Sequence, residues 1–284
     1  MKNKRGSIIL FFYLIATLLP LVAGLGYALF NSFGVAGILS NGFTLTYWQS
    51  FFQSGEFVES FLYSLGLSVL IIGIAVVFAL GISISFSKNI NAGKGAYLFY
   101  IPLAIPYIVA GFISYQLFNP TGLFSRIANA LHITSSPETF PALTNDALSF
   151  GIVFTHVIIA TAFFTILFAG IFTNEQLASL ADVAKSIGAG NKTITKRIFI
   201  PIILKKAFPS IILYGIFTLG SYEIPLLLGR QTPQFISVAI ATKFQRFNLH
   251  DIPVAYCMAA AYTLLIVFIL FYLAKRKKLY HENN

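Results

Sequence analysis

Six long apolar runs leave this chain few ways to fold. They cover residues 8–30, 59–86, 96–118, 147–172, 207–229 and 253–274. A helix that crosses the hydrocarbon layer needs about 20 mostly apolar residues, and each run supplies them. A soluble helical bundle would show polar faces at helical spacing, which these runs lack. Composition agrees, with 57% hydrophobic and 10% charged residues, where a soluble domain carries about 25% charged. The expected fold class is an all-α integral membrane protein with six transmembrane helices. Lys2, Lys4 and Arg5 precede the first run, which is longer than a signal-peptide core of about 7 to 15 residues and reads as a retained anchor.

The charged loops set the orientation. Alternating the loops between two sides gathers Lys2, Lys4, Arg5, Lys88, Lys94, Lys185, Lys192, Lys196, Arg197, Lys205, Lys206 and the tail Lys275, Arg276, Lys277 and Lys278 on one side. The other side holds only Arg126, Arg230, Lys243 and Arg246. Positively charged loops stay in the cytoplasm, so both termini are expected there. Topology and anionic lipid, at about 1 kcal/mol per near-surface charge, explain the net charge of +10 without nucleic acid. Cys257 is the lone cysteine, which leaves no intramolecular disulfide and no cysteine-based metal site. On the outer side, 121–132 is amphipathic, with Leu123, Ile127 and Leu131 at helical spacing, and suits the membrane surface or a partner.

The longest inward loop, about 174–206, has internal order. Its stretch SIGAGNKTITKR resembles a phosphate-binding loop at first sight. However, Asn191 stands where that motif needs a glycine before its lysine, Ser186 stands at the first glycine, and a helix rather than a strand leads in. A helix is expected over 175–187, with Leu177, Leu180, Ala184 and Ile187 as its stripe, stopped by the glycines at 188 and 190. A second, basic helix follows and is expected to end near Pro201 as the chain enters the bilayer. Such a helix pair on a small-residue turn is a rigid knob, able to pass force from a soluble partner into the spans on either side.

The run DVAKSIGAGNKTITKRIFIP resembles the EAA loop of permease subunits from binding-protein-dependent ATP-binding cassette importers. Asp182, Val183 and Ala184 stand at the opening of that pattern, Gly188 and Ala189 at its turn, and Ile198, Ile200 and Pro201 at its close. Asp182 replaces the usual Glu, Val183 an Ala, and Thr195 a common aromatic. Residues 99–122 resemble the third span of such permeases. Residues 217–229 resemble the fifth span in the branch of spermidine/putrescine, ferric iron and thiamine importers.

The resemblance implies a permease subunit in a cell (inner, cytoplasmic) membrane, with 1–58 as anchor span and first outer loop, 59–274 as importer transmembrane domain and 275–284 as basic cytoplasmic tail. It implies coupling residues Asp182, Ala184, Gly188, Ala189, Gly190 and Pro201. It also implies a cytoplasmic ATPase dimer that carries ATP and Mg, a second permease subunit identical or related, and an extracytoplasmic substrate-binding protein. No cofactor, metal or catalytic residue is assigned to this chain. The cargo so implied is a small polar or charged solute, a polyamine in first place, with iron, thiamine or a phosphonate as the others.

Within the spans, Glu223 stands out, because an acid there costs roughly 2.5 to 3.5 kcal/mol and usually faces a cavity or partner. With Ser221, Tyr222 and Pro225 it marks either a translocation pathway or a packing contact near the outer interface. Pro102 and Pro106 are expected to kink the third span and shape the same pathway. His156 reads as hydrogen-bonded to a neighbouring helix. A membrane enzyme acting on lipid, or a secondary transporter, is the alternative. The four histidines lie apart at 132, 156, 250 and 281, no paired carboxylates occur on the inward side, and no inverted repeat is visible.

Overall fold

The computed structural model describes residues 4–38, 40, 42–91, 95–136 and 139–282. Lys2, Lys94 and the last two tail residues lie outside them. No strand occurs among the described residues. The chain forms two compact units, Met1–Glu59 with Ala239–Asn284, and Ser60–Val238.

The first unit holds α1 (Lys4–Ser32), α2 (Thr46–Ser54), most of α12 (Ile236–Gln245) and α13 (Asp251–Glu282). The face of α1 is apolar and exposed from Ile9 onward, as a lipid-facing anchor requires. It packs along α13, where Tyr27 and Tyr256 meet edge to face at 5.7 Å and the Cys257 thiol donates to the Ser32 carbonyl at 3.6 Å. Trp48 of α2 meets Phe33 at 5.7 Å in a tilted contact and Phe51 edge to face at 5.5 Å. Acids open α3 (Glu56–Asn91) and α13, where the positive end of the helix dipole favours them. Lys243 is buried, and its ammonium reaches Glu56 at 2.7 Å. Arg246 lies between Glu56 at 3.9 Å and Asp251 at 3.7 Å. Helices α2 and α12 stand in stretches that read only as outer loops.

The second unit holds the rest of α3, then α4 (Tyr97–Ala104), α5 (Tyr107–Phe118), α6 (Leu123–Ala130), α7 (Phe150–Asn174), α8 (Leu177–Ser186), α9 (Asn191–Ile194), α10 (Ile200–Leu219) and α11 (Glu223–Leu228). Its core has two parts. Ala75, Ala79, Ala160 and Ala207 let α3, α7 and α10 close around Phe164 and Phe168; small residues are how membrane helices approach one another. Ile71, Ile152, Ile159, Ile224 and Leu228 form the other part.

Two spans differ from expectation. The third is two helices bent by 96° rather than one kinked helix over 96–118, so the described residues hold five candidate spans and this one bent pair. The cause is local: Ile105 precedes a proline and takes an extended ψ of 123°, and Pro106 at ψ 142° starts α5 afresh. The fifth begins earlier than 207. The second loop helix does not end near Pro201 but runs from Asn191 to Leu219 as a single span. A π-helical turn, Thr195–Phe199, precedes Pro201, and the Ile200 N–H reaches back to the Thr195 carbonyl. The wider turn accommodates a residue that has no N–H and whose ring crowds the preceding carbonyls.

Candidate functional site

The coupling loop is a braced knob. Helix α8 ends at Gly188, with φ +89°, where the Gly188 N–H donates to the Lys185 carbonyl at 2.9 Å and the Ala189 N–H to the Ala184 carbonyl at 3.0 Å. Both bonds together make a Schellman cap. The expected stripe is corrected. Leu177, Ala181 and Ala184 are the buried face, and Ala181 and Ala184 pack on Ile194 of α9. Leu180, Val183 and Ile187 instead point out, 43%, 65% and 83% exposed. Packing against α9 and the π turn selects residues 177, 181 and 184, and leaves three large apolar side chains near the glycine turn exposed in part or in most of their surface. The knob is tied to the spans by a 2.9 Å ion pair between Glu175 and Lys206 and by the Phe172 and Phe199 rings at 5.0 Å.

The other loop residues occupy distinct places. Asp182 is exposed and pairs with Lys185 at 3.9 Å, an arrangement worth little by itself. Gly190 has an ordinary extended backbone, φ −75° and ψ 155°, and a Cβ built there meets nothing within 4 Å. Nothing inside the chain requires that glycine. Pro201 is exposed as the second residue of α10.

The membrane residues gather where the third span is bent and where α10 gives way to α11. Helix α10 stops at Gly220, and α11 restarts at Glu223. The Ser221 hydroxyl lies 3.1 Å from His156 Nε2, and its carbonyl accepts from the Ser237 hydroxyl. Tyr107, first residue after the third-span break, has its hydroxyl 3.1 Å from that of Tyr214, and its ring stands 5.8 Å from His156. The α5 and α11 backbones touch: a Cβ on Gly111 would come within 3.1 Å of Leu227 and 3.5 Å of the Ile224 Cα. Tyr222 is half-buried, Pro225 is buried, and the Pro225 carbonyl accepts from the Gly229 N–H at 2.9 Å. Glu223 is exposed, and no ion pair or hydrogen bond holds its carboxylate among the described residues. Pro106 stands at the break, whereas Pro102 lies in α4 and lines an apolar cleft of about 600 Å³ with Ile74, Phe78, Phe99 and Val157. The prolines are therefore divided between break and cleft. Tyr107 and Tyr214 escape sequence reading, because a buried tyrosine pair has no signature beyond two apolar helices.

No family model matches the chain. Among curated proteins, it is 24% identical over 148 residues to a probable ABC transporter permease protein of Sinorhizobium fredii (strain NBRC 101917 / NGR234), a match covering 50% of this chain and 24% of that protein. The chain thus spans about a quarter of the length of the curated relative it matches. Among solved structures, it superposes on a chain from the crystal structure of a bacterial ABC transporter involved in the import of the acidic polysaccharide alginate. The TM-score is 0.69 and the identity 19%, over 97% of this chain and 98% of that one. The fold is therefore one found in an ABC transporter, and with five candidate spans among the described residues the chain is a multi-pass membrane protein.

Proposed function

We propose that this chain is a permease subunit of an ATP-driven, binding-protein-dependent importer. It lines one half of a solute pathway in the cytoplasmic membrane, with both termini inside. ATP and Mg act on a separate cytoplasmic ATPase dimer, which engages the knob formed by Asp182, Ala184, Gly188, Ala189, Gly190 and Pro201. A second permease subunit supplies the other half, and an extracytoplasmic binding protein delivers a small polar or charged solute. A polyamine is favoured because Glu223, beside Ser221, Tyr222 and Pro225 where α10 gives way to α11, offers a carboxylate with no counter-ion among the described residues; iron, thiamine and phosphonate remain the other cargoes.

One observation carries the reading: Leu180, Val183 and Ile187 lie exposed on a capped, ion-paired helix turn outside the spans. Exposed apolar surface on a rigid element marks a docking site. Its test uses the lone, buried Cys257 as a silent background. Ile187→Cys is expected to react with a soluble maleimide and to be protected when the ATPase is coexpressed. Equal labelling with and without the ATPase would remove the knob from the interface. Gly188→Trp is expected to leave the chain inserted but uncoupled from ATP hydrolysis.

A further inference from the structure

Helix α9, the π turn and α10 run without interruption from Asn191 to Leu219. At 1.5 Å per residue these 29 residues form a rod of about 43 Å. One end of the rod belongs to the knob, where Ile194 packs on Ala181 and Ala184. Midway along it, Ile203 and Ala207 sit in the apolar core with Phe164 and Phe168. Packed apolar surfaces of this kind allow helices to shear past one another by small steps.

The far end is held by a different kind of contact. Tyr214, in the last two turns of α10, has its hydroxyl 3.1 Å from that of Tyr107, which opens α5 directly after the 96° bend. Just beyond the rod, the Ser221 hydroxyl lies 3.1 Å from Nε2 of His156 on α7, and both residues are buried. The Ser221 carbonyl accepts from the Ser237 hydroxyl. The end of the rod away from the knob is thus clasped to α5 and α7 by polar pairs. A hydrogen bond is directional and is lost beyond about 3.5 Å, so such a clasp is either made or broken. Between membrane helices its loss is not made good by water.

We propose that the Tyr107–Tyr214 and His156–Ser221 pairs are a latch on a lever formed by residues 191–219. The latch holds the far end of the lever in the arrangement seen here, and a partner that moves the knob has to break it. The latch is a property of this chain alone, whereas its release by an ATPase rests on the transport reading above.

The test is a pulsed spin-label distance measurement on the full chain in lipid nanodiscs, with labels on Ile187→Cys in the knob and Leu148→Cys before α7. Both sites are more than four-fifths exposed, at 83% and 84%, and Cys257 is buried. The chain with its latch intact is expected to give one dominant distance. Tyr107→Phe and Tyr214→Phe keep both rings and remove the bond. Each is expected to raise the population of a second distance by about threefold to eighteenfold, the span that hydrogen bonds between membrane helices cover. The double variant is expected to do no more than either alone, and Ser221→Ala to act in the same direction. A distance distribution unchanged in every variant overturns the proposal, whatever happens to the melting temperature, because the bonds would then serve packing alone. So does a double variant whose effect is the product of the two single ones. Adding the ATPase with a non-hydrolysable ATP analogue separates the latch from the transport reading. A nucleotide-driven shift with no effect of the phenylalanine variants keeps the importer and rejects the latch. A shift in those variants with no response to the ATPase keeps the latch and rejects the importer.

Discussion

Two glycines in the coupling turn separate what the chain needs from what a partner needs. At Gly188, φ is +89°, so any other residue pays about 1 to 2 kcal/mol for the left-handed backbone. That is comparable to the net worth of the two cap bonds it supports, at about 1 kcal/mol each. Gly188→Ala is therefore expected to loosen the turn and lower both knob order and uptake. At Gly190, the backbone is ordinary and the space around a Cβ is empty. Gly190→Trp is expected to leave insertion and thermal stability within about 0.5 kcal/mol of wild type. If an ATPase groove closes on this turn, the indole has to be expelled or accommodated. ATPase recovered with the tagged chain should then fall at least tenfold, about 1.4 kcal/mol, and uptake with it. The assay is coexpression, gentle extraction and the ratio of ATPase to permease on a gel, read beside melting temperature. Wild-type ATPase recovery and uptake by Gly190→Trp would refute the reasoning, because no internal contact could then explain a glycine there and no external one would exist.

Three further outcomes are expected. Glu223→Gln should lower the rate of uptake of a cationic solute while leaving insertion unchanged, measured with radiolabelled polyamine; unchanged kinetics would take Glu223 out of the pathway. Glu56→Gln should destabilise the chain by roughly 2 to 3 kcal/mol, below the roughly 3 to 5 kcal/mol for breaking a fully buried pair because Glu56 is partly exposed, while Glu56→Gln with Lys243→Met should recover most of it. Thermal unfolding in detergent reads both, and an additive double variant would contradict the pairing. Ser64→Ala should cost about 1 to 2 kcal/mol, because the Ser64 hydroxyl accepts from the Ile236 N–H at 2.8 Å and its loss orphans a buried donor at the start of α12; a change below about 0.5 kcal/mol would show that another acceptor takes over.

Much of the fold was legible because lipid permits few solutions. Four of the long apolar runs overlap candidate spans of the described residues closely, and Gly188 located the end of α8, since a left-handed cap leaves a glycine in the sequence. The breaks were less legible. A proline in an apolar run signals a kink or a break alike, and only the extended ψ at Ile105, with α5 turned against α11, decides for a break. At Pro201 the same residue type ends nothing, because the π turn absorbs it. The stripe on α8 differs from its spacing for a related reason: spacing alone allows Leu180 and Ile187 as readily as Ala181, and only the position of Ile194 selects the buried face. Lys243 with Glu56, and Tyr107 with Tyr214, meet across long stretches of chain that carry no mark of the partnership.

The central claim is that this chain works with a separate ATPase through its 182–201 turn. The most direct measurement is to tag the chain, extract it gently from its native membrane and identify its companions by mass spectrometry. The account predicts an ATPase with a phosphate-binding loop, a second permease and an extracytoplasmic binding protein, with the ATPase lost from Gly190→Trp. Recovery of the chain alone, in a detergent that keeps other membrane complexes whole, would contradict it.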